Sequence, residues 1–259
     1  MASLINFLAA KPSMIKPVND DPIKRYRLEY NLEALERVRE LIGGKAYSRL
    51  RDLLEYRLHG KEFERSPIDV KVVLAFSGGS DSRAALSILT WAGFNVVPVT
   101  VKLPQMSEKA VKIAASSGAV FVDVPGYLES MQKQVEKKAP ICGRCHSMVM
   151  EAVERYAVEN GINLLATGDL LSSGLISIYG KGELVTLNLP AFLALDKAEI
   201  IDLIGGKYDL TFGCPLLWEA FRAAPGLKRF SVQRVLRELR ARALSPEIAE
   251  ALILDILRR

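Results

Sequence analysis

Apolar residues alternate in two ways along this chain. Near the N-terminus they recur every three to four positions. Leu32, Leu35, Val38, Leu41 and Ile42 form one helical stripe that Gly43-Gly44 should end, and Tyr47, Leu50, Leu53, Leu54 and Leu58 form a second before Gly60. Ahead of them, residues 11–24 hold Pro12, Pro17 and Pro22, which predicts an irregular lead-in. From residue 70 the period changes. Val70–Phe76 is a short, β-branched apolar run and reads as a buried strand. Helix over Ser82–Trp91, strand over Phe94–Val101, helix over Glu108–Ser117, strand over Val120–Val124, helix over Ser147–Asn160 and strand over Asn163–Thr167 complete the rhythm.

Strand and helix in turn predict an α/β fold, a doubly wound, mostly parallel sheet with helices on both faces. Ligands of such sheets sit beyond the carboxyl ends of the strands. The expected organisation is a lead-in and helical module over 1–66, an α/β domain over 67–218 and a basic helical region over 219–259.

Strand Val70–Phe76 runs directly into Ser77-Gly78-Gly79-Ser80-Asp81-Ser82. Gly78 and Gly79 let the backbone turn sharply and approach an anion. The helix that follows offers unpaired N–H groups, and Ser77, Ser80 and Ser82 add hydroxyls. Asp81 would repel a phosphate unless it helps hold Mg2+ or orients the loop amides. No Gly-Lys-Ser/Thr follows, so this is not a Walker loop.

Cys142, Cys145 and Cys214 are the only cysteines, too few and too odd in number for a disulfide framework. Cys142-Gly143-Arg144-Cys145-His146 is expected in a loop before a helix, whose N-terminus would lower the thiol pKa values. Three uses compete with a plain buried role. They are zinc with His146 as fourth ligand, a three-cysteine iron–sulfur cluster, and a dithiol that carries sulfur.

Strand–Ser-Gly-Gly-x-Asp-Ser–helix resembles the signature of the PP-loop ATP pyrophosphatases, which adenylate a carbonyl oxygen and release pyrophosphate. With Cys-x-x-Cys after the third strand and a distant Cys214-Pro215, the layout is most similar to the tRNA 2-thiocytidine and 2-thiouridine synthetase group. Ala166-Thr167-Gly168-Asp169, Leu189-Pro190 with Asp196-Lys197-Ala198-Glu199-Ile200, and Ala224-Pro225-Gly226-Leu227-Lys228 follow in the same order. The likeness spans roughly residues 70–240.

The resemblance implies ATP with Mg2+ on residues 77–82. It implies nucleotide contact at Gly168 and Asp169, and adenine beside the second strand near Thr100. It also implies a 4Fe–4S cluster on Cys142, Cys145 and Cys214, a sulfur donor, and tRNA as the partner, the alternative being a small-molecule acceptor in sulfur insertion into a cofactor precursor or in amide formation. Two segments depart from the group. Ser80 stands where a lysine is usual, and Gly168-Asp169-Leu170-Leu171-Ser172-Ser173 replaces Gly-His-Asn-x-Asp-Asp.

Composition adds the partner's sign of charge. The chain of 259 residues carries a net charge of +5, which leans toward a polyanion. Arg222, Lys228, Arg229, Arg234, Arg237, Arg240 and Arg242 crowd one helical region, with Arg234, Arg237 and Arg240 the expected RNA face. Ile248, Leu252, Ile253, Ile256 and Leu257 suit core or a homodimer contact. No apolar run reaches the ~18 residues of a membrane span, and the first residues lack a basic secretory start. A cytoplasmic protein is expected.

Overall fold

The computed structural model describes residues 15–170, 177–206 and 210–259. Part of the lead-in and Leu171-Ser172-Ser173 lie outside the described residues. Among those described, a six-stranded sheet has the order β3-β2-β1-β4-β6-β5. Its strands are β1 (Lys71–Ala75), β2 (Asn95–Val101), β3 (Val120–Val122), β4 (Leu164–Thr167), β5 (Ile178–Lys181) and β6 (Leu184–Asn188). All neighbours run parallel except β5 and β6.

Alternation along the strands sorts their side chains to two faces. Val72, Leu74, Leu164, Ala166, Val185 and Leu187 enter one core. It is covered by α1 (Pro22–Arg37), α2 (Arg39–His59), α3 (Ser80–Trp91), α7 (Leu189–Phe192) and α8 (Lys197–Leu203). Val73, Val99, Val101 and Leu165 face the other side, against Ala152, Val153 and Ala157 of α6 (Ile141–Glu159). The N-terminal helices therefore share their core with the sheet. A further cluster joins α5 (Tyr127–Glu136) and the start of α6 to α9 (Pro215–Ala223), α10 (Lys228–Arg240) and α11 (Pro246–Arg258). The remaining helix, α4 (Glu108–Ser116), follows β2.

Three expectations about elements are corrected. The irregular lead-in ends at Asp21, whose carboxylate accepts the amides of Ile23 and Lys24, so Pro22 opens α1 at a position where its missing N–H is harmless. The first predicted stripe is split at Val38, between α1 and α2, while the expected break at Gly43 interrupts the helical geometry inside α2, with φ at 78°. α6 begins at Ile141 rather than Ser147, so Cys142 and Cys145 lie on its first turn and not in a loop.

The order of the strands fixes where a ligand can sit. From β1 the chain moves outward through β2 to β3, then returns to pair β4 on the other side of β1. The crevice at this reversal lies beyond the carboxyl ends of β1 and β4. No helix among the described residues is long and apolar enough to cross a membrane.

Candidate functional site

Residues 77–82 follow β1 into that crevice. Phe76 N donates to Val99 O, and the buried Thr100 hydroxyl donates to Phe76 O at 2.6 Å. Thr100, expected beside adenine, thus braces the root of the loop from behind, and it is 1% exposed. Gly78 adopts φ 73°, where a side chain would be strained. Gly79 caps α3, and Ser82 donates back to its carbonyl at 3.2 Å. Ser77 accepts from Gly79 N at 3.3 Å and lies 3.3 Å from the Ser82 hydroxyl.

Asp81 orients no loop amide. It accepts the Ser80 hydroxyl at 3.1 Å and pairs with Lys197 at 2.6 Å. Lys197 also donates to Ser80 Oγ at 2.8 Å. Sequence reasoning missed Lys197 as a site residue. One signal could have found it. A lysine on the first turn of a helix opposes the helix dipole, and it tolerates that place best when a carboxylate meets it. Here the lysine of α8 reaches the loop position that carries Ser80 in place of the usual lysine.

The placement of Lys197 depends on the N-terminal helices. Asp196 and Glu199 form a capping box around it. Lys24 of α1 donates to Asp196 at 2.7 Å and to Glu199 at 2.9 Å. Arg57 of α2, 1% exposed, pairs with Glu199 and donates to Leu193 O.

Gly168 closes the site from β4. A Cβ there would stand 2.6 Å from Ser82 N and 2.7 Å from the Asp81 carbonyl carbon. The close approach that glycine permits is to the protein's own loop. Asp169 N donates to Thr167 Oγ1 at 3.0 Å, and its carboxylate lies 3.7 Å from His146 Nε2. The alternative zinc ligand His146 is thus turned to Asp169.

The three cysteines come together around one apolar cluster although Cys214 is remote in sequence. Cys142 and Cys145 stand one turn apart on α6, and Cys214 caps α9 just before Pro215. All three are free thiols. Tyr127 donates to Cys145 Sγ at 3.1 Å and accepts from Gln105 at 2.6 Å.

The expected lowering of the Cys142 and Cys145 pKa values is overturned. Burial pushes the Cys142 thiol up to about 11, against the pull of the Arg234 charge, and the other two thiols add to the rise. Burial also raises Cys145, while the Tyr127 hydrogen bond opposes it. Desolvation of a thiolate outweighs a helix N-terminus here. Among the described residues no three His, Cys, Asp or Glu side chains are set to hold a metal ion. Three thiols bordering one apolar cluster are a soft donor set, of the kind a thiolate-bound centre takes, although they are not gathered around a metal position in this structure.

Two cavities border these groups. One of about 210 Å³ is lined by Asp81, Gly168, Asp169 and Lys197, and Cys142 lies on its wall. The other, about 1070 Å³, extends from Cys142 toward α1 and α10. Arg234 and Arg237 line it, and Arg240, expected on the same face, does not. Arg234 pairs with the buried Glu238 at 3.0 Å.

The chain is 35% identical over 249 residues to an uncharacterized protein of Methanocaldococcus jannaschii, covering 92% of this chain and 94% of that one. It is 29% identical over 152 residues to a probable tRNA sulfurtransferase of Thermococcus kodakarensis, covering 51% of this chain and 39% of the relative. Among solved structures it is similar to the U34-tRNA thiolase NcsA from Methanococcus maripaludis with its 4Fe–4S cluster. The identity there is 15%, the TM-score 0.38, and the coverage 82% of this chain and 78% of that one. No family model matches. The likeness to the Methanocaldococcus jannaschii protein along nearly all of both chains places this chain in that protein's family.

Proposed function

We propose that the protein is an ATP-dependent sulfurtransferase that adenylates a carbonyl oxygen of a tRNA base and replaces that oxygen with sulfur. The observation that carries this reading is the sharing of one cavity wall. Cys142 borders the same space as Asp81 and Lys197 of the phosphate loop. The likeness to the probable tRNA sulfurtransferase of Thermococcus kodakarensis points the same way.

In this reading, the amides of Gly78–Ser82 and the start of α3 receive the phosphates of ATP. Lys197 offsets charge that builds on the α-phosphate as the base oxygen attacks it and pyrophosphate leaves. Asp81 holds that ammonium in place and offers its other oxygen to Mg2+. Hydrosulfide then adds to the adenylated carbon. The C–S bond forms, the C–O bond to AMP breaks, and no net oxidation or reduction occurs. Cys142, Cys145 and Cys214 are the residues that would hold a 4Fe–4S cluster, and when bound it would supply Lewis acidity toward the incoming sulfur. The apolar surroundings of the thiols exclude water that would otherwise hydrolyse the adenylate.

The test uses anaerobically purified protein, Mg-ATP, sulfide and unfractionated tRNA. AMP, pyrophosphate and a thiolated nucleoside are the expected products, and Asp81→Ala is expected to lower their formation by about 100-fold or more. Accumulation of ADP, or normal turnover by the variant, would overturn the assignment.

A further inference from the structure

The two cavities have unequal sizes and different walls. The smaller, at the phosphate loop, is about 210 Å³. The larger, about 1070 Å³, lies at the top of the range of roughly 300–1000 Å³ usual for small ligands. They meet where both are lined by Cys142, Asp169, Leu170, Phe212 and Arg234. An acceptor that fills the larger cavity would therefore present its reacting end at Cys142, next to the ATP site.

The chemistry of the larger cavity's walls is that of a nucleic-acid cleft. On one side α1 contributes Tyr30 and Arg37, with the guanidinium 5.5 Å from the ring centroid. On the other, α10 contributes Phe230 and Arg237. Among the described residues neither Arg37 nor Arg237 has an acidic partner within ion-pair distance. Of the three acids of the same cavity, Glu154 pairs with Lys181 at 3.0 Å, Glu151 lies 3.9 Å from Arg144, and Asp169 lies 3.7 Å from His146 at the Cys142 end. Uncompensated guanidinium groups beside half-buried aromatic rings suit phosphates flanking an unstacked base. Helix α1 lies outside residues 70–240, so its wall is not carried over from the resemblance.

We infer that the larger cavity receives one nucleotide turned out of a folded RNA, with Tyr30 stacking on a base and Arg37 and Arg237 neutralising the flanking phosphates. The inference rests on the ATP-site reading above and gives the N-terminal helix a part in recognising the acceptor.

The experiment measures binding of unfractionated tRNA against salt concentration, with thermal melting to confirm folding. Arg37→Ala and Arg237→Ala are each expected to weaken binding several-fold and to reduce the slope of log K on log salt by about one unit. Tyr30→Ala should weaken binding about tenfold with an unchanged slope, and Tyr30→Phe should restore it. Arg39→Ala, outside the cavity, should bind as the native protein does. Native binding by all three cavity variants, or equal loss in Arg39→Ala, would overturn the cleft and leave the ATP-site reading standing. No tRNA binding by native protein at low salt, together with AMP release on a small acceptor, would overturn the cleft and the tRNA acceptor and leave the ATP site standing.

Discussion

Gly168 shows how much of the site depends on a single missing methyl group. Its Cα faces the backbone of Asp81 and Ser82, and a Cβ 2.6 Å from Ser82 N meets an atom that cannot rotate away. Gly168→Ala must push the phosphate loop off β4. The expected result is a folded protein whose AMP formation falls by about 100-fold, since misplacement of about 1 Å costs that much. Normal turnover by this variant would show that the loop has slack. Sequence alone singled out Gly168 and the loop glycines for close backbone approach, but at Gly168 the approach is to the phosphate loop and not, as expected, to a nucleotide. It did not identify Lys197. A lysine in Asp-Lys-Ala-Glu reads as part of a solvated, capped helix start, and only the fold brings Ser80 and Asp81 to it.

At the scale of elements, strongly periodic segments were legible and short ones were not. β1, α3, β2, α4 and β4 lie within one or two residues of the boundaries their patterns predict. The antiparallel pair β5 and β6 escaped notice because each is only four or five residues long, and Gly180 and Gly182 interrupt the alternation. α5 escaped because its stripe is narrow, with only Tyr127 and Met131 buried. The N-terminal helices were legible as helices, but their work was not, since it is done by charges 140 to 175 positions away in sequence. Lys24 and Arg57 hold the capping box of α8, and α8 holds the lysine on the loop. Arg57→Met would leave Glu199 and the Leu193 carbonyl short of a buried donor. A loss of roughly 3 kcal/mol is expected, with a lower affinity for ATP, although neither helix touches the phosphate loop. Denaturant unfolding and ATP titration check the two effects separately. Unchanged ATP affinity in a destabilised variant would confine Arg57 to a structural role.

For the whole molecule, the phosphate loop and the thiols belong to different cores. The loop grows from the sheet, whose apolar face is closed by α1, α2, α3 and α8. The thiols border the cluster of α5, α9, α10 and α11. Damage on one side is therefore expected to spare the other. Cys214→Ser should lose iron and sulfide after anaerobic reconstitution while ATP affinity stays within about twofold. Loss of ATP binding in that variant would mean the two sites are one cooperative unit.

The same division sets an order of assembly during synthesis. Domains fold as they emerge, N-terminal parts first. β1, its loop and β4 are all made before Cys214, but Lys197 follows them, so the bare loop exists before its ammonium does. Cys142 and Cys145 wait longer, because the cluster around them includes Leu252 and Ile256. A ribosome-bound chain lacking α11 would already hold a folded sheet while its first two thiols stood half-covered. On the proposed reading, a metal centre is expected to load only after α11 has docked, which would make that helix the timer of loading.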